Sequence, residues 1–457
     1  MLSGNIKRFL LREALKSGVK LRPFLSEEKI FQYINSQIES MENPQARRFV
    51  EKALYVTRNH MERTSENCRK RGLSSFFLNA VTLGMMKREE FEKEHGFSPP
   101  FVILISPTMR CNLRCEGCYA AHYSVKDDLE FGVIDRVISE AKDIGCYFFT
   151  ILGGEPFIRK ELFNLYERHS DAYFQVFTNG TLIDERVADR IAQVGNIFPS
   201  ISVDGMEEYS DKRRGKGTFK KLMHAMDLLN ERGAFFGFST VVTRENNEVV
   251  VSDEYIDMFV ERNCFWGWYF AYMPVGKAPD VTLMPTPEQR LYRFERIKEM
   301  REKRDIILAD FWNDAPLVGG CIAGGRKYLH INNNGDVEPC IFVHFSVDNI
   351  REKSLKEVLF SPFFHEIRKR IPIDSNHLMP CMIIDSPHIL RDIIAETGAV
   401  PDYPEAKNIL KKEIAFSLDE YSSELRILCN PVWQHYLMGM TSEKVCARKV
   451  SDDRSIP

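Results

Sequence analysis

Phe101-Val-Ile-Leu-Ile-Ser-Pro-Thr-Met-Arg-Cys111-Asn-Leu-Arg-Cys115-Glu-Gly-Cys118 is the stretch on which the reading of this chain turns. Its first part, 101–105, is a short apolar run of the kind that forms a strand buried in a parallel sheet. Its second part sets three cysteines on one short loop, just beyond that strand and the turn-forming Pro107. Thiolates spaced in this way can grip three corners of an iron–sulfur cubane and leave its fourth iron open to a non-protein ligand. A structural zinc site asks for four side-chain ligands, and no partner pair lies nearby in the sequence.

Downstream of the loop, apolar runs alternate with helical patterns. Helices are expected near 131–144, 160–169, 185–194 and 219–231, and strands at 147–152, 172–177, 198–203 and 235–242. A sixth strand is expected at 266–272. This alternation predicts βα units on a parallel sheet, with reactive groups gathered at the C-terminal ends of the strands. Upstream, residues 1–98 read as helical until Ser98-Pro99-Pro100 stops them. Residues 286–304 read as a charged connecting helix. Asn332-Asn-Asn-Gly-Asp then sits between two β-like runs as a hairpin turn, and helices fill most of the remainder to 440.

A chain of 457 residues exceeds one ordinary core, so two or three domains are expected. Sixty-two basic against 65 acidic residues leave no surplus to attract nucleic acid. No apolar run reaches the roughly 18 residues of a membrane-spanning helix. The first residues lack the features of a secretory signal, so a cytoplasmic location with reduced thiols is expected. Eleven cysteines in that setting point to metal or redox chemistry rather than disulfides.

The loop at Cys111, Cys115 and Cys118 resembles the CxxxCxxC signature of the radical S-adenosylmethionine (SAM) superfamily. The resemblance continues through Gly153-Gly154-Glu155-Pro156, Thr178-Asn179-Gly180 and Ser202-Val-Asp204-Gly205, each at a predicted strand end. Asp211-Lys-Arg-Arg214 and the glycine-rich 215–219 are similar to a segment of the peptide-modifying branch. The resemblance implies an α/β fold: a partial (β/α) barrel of radical SAM type, with an N-terminal helical region and a C-terminal auxiliary iron–sulfur hairpin domain. It divides the chain into a helical region 1–98, a barrel core 99–284, a linker helix with a twitch/SPASM-like auxiliary domain 285–384, and a helical tail 385–457. It also implies that Gly153, Gly154, Glu155, Thr178, Asn179, Ser202, Asp204 and Arg214 bind SAM. Glu155 and backbone near Gly153 would take the ammonium, and Ser202 and Arg214 the carboxylate. Relatives often place an aromatic residue before the third cysteine. This chain has Gly117 there, with Tyr119 as the expected substitute for the adenine contact.

Cys321 and Cys340 bracket the hairpin, and Cys381 follows a helical segment. This set resembles the SPASM or twitch extension, in a form with fewer cysteines than the full domain. It implies a second, auxiliary 4Fe–4S cluster whose fourth ligand could be substrate, Cys429, Cys446 or another group. Cys68, Cys146 and Cys264 lie in apolar or helical settings and read as structural. The family chemistry is reductive cleavage of SAM to a 5′-deoxyadenosyl radical, followed by hydrogen abstraction from an unactivated carbon. The resemblance favours a peptide substrate, with a lipid or a tetrapyrrole left open, and a reducing partner such as flavodoxin or ferredoxin. The competing classes are a non-catalytic iron–sulfur electron carrier and a zinc-stabilised binding protein. Tyr119, His122, Tyr123, Tyr269 and Tyr272 fall near the expected barrel mouth. The basic amphipathic stretch 6–21 could pack on the barrel or make peripheral contact with an anionic membrane.

Overall fold

Six of the apolar runs form strands in the computed structural model, which describes residues 27–39, 41–120, 128–276 and 278–438. They are β1 (Val102–Thr108), β2 (Phe148–Gly153), β3 (Tyr173–Thr178), β4 (Ile197–Ser202), β5 (Gly237–Val242) and β6 (Trp266–Ala271). They pair in parallel and in chain order. The helices between them carry their own punctuation. Glu185–Val194, for example, starts where Asp184 accepts a hydrogen bond from the Val187 N–H at 2.8 Å and ends at Gly195 with φ +77°. One face of the sheet packs tightly on these helices. Phe238 stacks on Phe259 at 3.9 Å, and Phe149, Phe174 and Tyr166 form a second aromatic group.

The sheet crosses the division expected at residue 284. A seventh strand, β7 (Ile307–Asp310), pairs with β6. It is too short for its apolar run to announce a strand. The hairpin strands β8 (Tyr328–Ile331) and β9 (Val337–Glu338) also join, because β8 lies parallel to β1 with Val102 opposite Tyr328. The order is β7-β6-β5-β4-β3-β2-β1-β8-β9, so the hairpin extends the barrel sheet along its β1 edge. The connecting helix, Pro287–Lys303, is charged but not simply solvated. It buries Arg290 against Asp385 and Arg293 against Asp310.

Helices Glu27–Glu39, Pro44–Met61, Glu66–Arg71 and Gly84–His95, with a π-helical stretch Gly72–Leu83, make up the N-terminal region. Phe76 meets Phe148 edge-on at 5.4 Å, near the N-terminal ends of β2 and β3. No helix among the described residues is long and apolar enough to cross a membrane. The basic stretch 6–21, His122, Tyr123 and Cys446 lie outside the described residues.

Candidate active site

The cysteine loop leaves β1 and is held from beneath by backbone. The N–H groups of Gly154 and Glu155 donate to the carbonyls of Thr108 and Arg110 at 2.9 and 2.8 Å. These contacts explain the glycine pair. A Cβ at Gly154 would lie 2.2 Å from the Arg110 oxygen, and one at Gly153 (φ +107°) 2.5 Å from the Thr108 oxygen. Arg159, almost wholly buried, donates to the carbonyls of Pro107 and Leu129 at 2.8 and 2.6 Å and braces the far side.

Three of the expected SAM contacts act on the protein itself. Glu155 is fully buried, and its oxygens accept from the Phe157 N–H (3.1 Å), the Thr178 hydroxyl (2.8 Å) and the Asn179 N–H (2.7 Å). Its carboxylate therefore ties the end of β3 to the loop after β2. Burial pushes it up to about 7 despite those donors. Asp204 accepts from Arg213 and Arg214, both at 2.7 Å, and from the Val241 N–H at 2.9 Å. Burial opposes its charge, but the two guanidinium groups hold its carboxyl well below the usual range. Asp204 thus orients Arg214, whose Nη1 lies 4.0 Å from the Cys115 sulfur. Thr178 likewise spends its hydroxyl on Glu155.

Gly153, Gly154, Asn179, Ser202 and Arg214 do line one cavity with Cys111, Cys115 and Cys118. Asn179 Nδ2 donates to Asn112 Oδ1 at 2.8 Å and lies 3.7 Å from the Cys111 sulfur. Ser202 and Ser239 hydroxyls meet at 3.2 Å on neighbouring strands. Burial raises the Cys111 and Cys118 thiols, a direction that iron ligation reverses by removing the proton outright. Three thiols on a loop at the cavity end, beside a guanidinium, fit a cluster with one open iron and an anionic ligand group. Among the described residues, no three His, Cys, Asp or Glu side chains converge on a single-ion site. A cubane instead needs thiolates spread over separate irons.

The tyrosines divide differently from expectation. Tyr119 lines the cavity but packs against the auxiliary segment, edge-on to Phe342 at 5.8 Å and parallel to His344 at 6.5 Å. Tyr269 is fully buried among helices and donates to the Val250 carbonyl at 2.9 Å, so it does not reach the mouth. Tyr272 does. Its ring fills the space over Gly117, where a Cβ would come within 2.6 Å of it.

The second cysteine set gathers around Tyr328, whose hydroxyl donates to the Cys340 sulfur at 2.7 Å. Cys321, Cys340 and Cys381 all act on this tyrosine electrostatically. Burial pushes the Cys321 thiol up to about 11 and the Cys381 thiol up to about 12. Asp385 accepts from the Cys381 N–H at 2.9 Å and is itself paired with Arg290. Cys429 sits in a separate apolar cluster with Leu378, Met379, Leu425 and Trp433. Cys68, Cys146 and Cys264 are buried.

A buried network went unread in the sequence. His330 bridges the Ser106 hydroxyl (2.7 Å) and Glu338 (2.6 Å), and His344 approaches the same carboxylate at 3.5 Å. The hairpin signal could have found part of it, because pairing across the turn sets His330 directly opposite Glu338.

Residues 105–253 match the family model of the Radical SAM superfamily, and residues 321–382 match that of an iron–sulfur cluster-binding domain. The Fe-coproporphyrin III synthase of Methanosarcina barkeri is 28% identical over 48% of this chain, and the chain spans 57% of its length. The mycofactocin maturase MftC of Mycobacterium tuberculosis is 30% identical over 57% of this chain and 70% of its own. The crystal structure of Streptococcus suis SuiB bound to precursor peptide SuiA shares the fold. Its TM-score is 0.54, at 21% identity, over 63% of this chain and 71% of that one.

Proposed function

The chain belongs to the radical SAM superfamily and carries its SPASM-type iron–sulfur extension, and from that premise we propose that it abstracts hydrogen from an unactivated carbon of a substrate held inside the barrel. When bound at Cys111, Cys115 and Cys118, the cluster supplies the electron that splits SAM into methionine and a 5′-deoxyadenosyl radical. The observation that carries this reading is that the three cysteines, Gly153, Gly154, Ser202 and Arg214 line one cavity wall.

The chain's own residues bind, orient and exclude water. Arg214, held by Asp204, presents a fixed donor to a carboxylate beside Cys115. Ser202 offers a hydroxyl, and the glycine pair lets backbone approach a ligand ammonium. Tyr272 over Gly117 offers an aromatic face at the position where relatives carry a side chain on the loop. Cys321, Cys340 and Cys381 would hold the auxiliary cluster, to accept an electron from the product or to contact substrate. A flavodoxin- or ferredoxin-type reductant in a reducing cytoplasm fits these thiols. The relatives act on peptides and on porphyrins by name, so they do not choose the substrate.

The test is anaerobic reconstitution with iron and sulfide, then SAM and dithionite, following methionine and 5′-deoxyadenosine. Both should form in equal amounts. A protein that binds iron and SAM but yields neither product would leave an electron carrier as the reading.

A further inference from the structure

The interior of the curved sheet is hollow. In β6 the residues facing the helices, Gly267, Tyr269 and Ala271, are buried, while Trp266, Trp268 and Phe270 on the inner face are only partly so. β1 begins with the same alternation, with Val102 and Leu104 half-buried and Ile103 buried. The half-buried side chains surround a cavity of about 790 Å³.

The cavity follows the strands. It is lined by Trp266, Trp268 and Phe270 in succession, from the helical region at Leu54 and Phe76 to the cysteine loop. A strand of this length spans roughly 17–20 Å. Polar groups along the wall are few: Gln175 donates to Ser200 at 2.9 Å, and the buried indole N–H groups of Trp266 and Trp268 have no hydrogen-bond partner among the described residues. The cations of the lining are placed at its ends or held. Arg88 donates to the Gly145 carbonyl, Arg213 and Arg214 are paired with Asp204, and Lys327 is exposed just before β8. A peptide backbone needs donors and acceptors along its length, and a tetrapyrrole needs cations for its carboxylates. A long aliphatic chain needs neither.

We propose, building on the radical SAM reading, that the barrel interior binds a long aliphatic chain, acyl or isoprenoid, as the part of the substrate that lies beneath the cysteine loop. The test uses reconstituted full-length protein and the polyene fatty acid cis-parinaric acid, whose fluorescence rises in a dry apolar site. Saturated fatty acids should displace it, gaining about fourfold in affinity per added methylene until the cavity is filled. Leu104→Trp, which fills the hollow at mid-height, should weaken probe binding at least tenfold, and Thr150→Phe provides a second filling variant. Deoxyadenosine formation is followed in the same wild-type preparation. Active protein that does not bind the probe would overturn the aliphatic assignment and leave the family reading intact. Probe binding without deoxyadenosine would leave the assignment standing and count against the radical reading. Displacement by coproporphyrin or by an apolar decapeptide, but not by fatty acids, would overturn the proposal in favour of those substrates. So would unchanged binding in both folded variants.

Discussion

The two cysteine sets reach the same donor chemistry by different routes. Cys111, Cys115 and Cys118 share one loop at the end of a strand, and the fold only has to hold that loop still. Cys321, Cys340 and Cys381 come from three separate segments, with the buried Tyr328 hydroxyl donating to the Cys340 sulfur. The first set opens onto the hollow barrel, and the second is packed beneath the hairpin that extends the same sheet. A local triad can bind cofactor before its surroundings are complete. A dispersed one depends on register between strands.

The largest expected effect is at the first set. Replacing Cys111, Cys115 and Cys118 together by Ala should abolish deoxyadenosine formation, read by chromatography after SAM and reductant are added. Unchanged formation would move the reductive site elsewhere. The same change at Cys321, Cys340 and Cys381 should instead lower the iron content from about eight to about four per chain, from two cubanes to one. Deoxyadenosine should persist while turnover of substrate is lost. An iron count near four in the unaltered protein would mean that the second set holds no cluster.

Asp204→Ala asks how far the first site depends on what lies behind it. It strands two guanidinium groups in a buried place and should destabilise the protein by roughly 3–5 kcal/mol. A urea midpoint unmoved from that of the parent would show the ion pairs to be dispensable. Gly117→Ala pushes a Cβ into Tyr272 at a backbone φ of +62°. Stability should fall by about 1–3 kcal/mol. Adding Tyr272→Ala should return part of that loss, and strict additivity of the two changes would mean that ring and glycine are not coupled. The smallest effect belongs to the second site. Tyr328→Phe removes the O–H donor to Cys340 and should lower the auxiliary cluster's reduction potential by on the order of tens of millivolts. An EPR-monitored redox titration would read the shift, and an equal potential in both proteins would remove Tyr328 from the cluster's surroundings.

Much of this was legible in the chain. The runs that became β1 to β6 declared themselves by apolar length and by the helical patterns between them. Asn332-Asn-Asn-Gly announced the hairpin, with Gly335 at φ +84°. Other features were not legible, for one shared reason. The resemblance offers Glu155, Thr178 and Asp204 as SAM contacts, and nothing in their local sequence shows which protein groups they also bind. Their partners proved to be protein groups brought in from other strands. Residues 286–304 read only as a charged connecting helix, and its local pattern did not show that Arg290 and Arg293 meet Asp385 and Asp310 in the core.

By itself the sequence determined the strand–helix alternation, the cysteine loop and the hairpin turn, because each is written in neighbouring residues through periodicity, turn chemistry and thiol spacing. Tertiary structure alone decided that the hairpin joins the barrel sheet, that Tyr272 stands over Gly117, that Cys429 packs with Leu378, Met379, Leu425 and Trp433, and that the barrel is left hollow. Each of these depends on which residues, distant in the chain, arrive at the same level of the sheet. Parallel register sets that level, and a shift of one residue would turn every inward side chain outward.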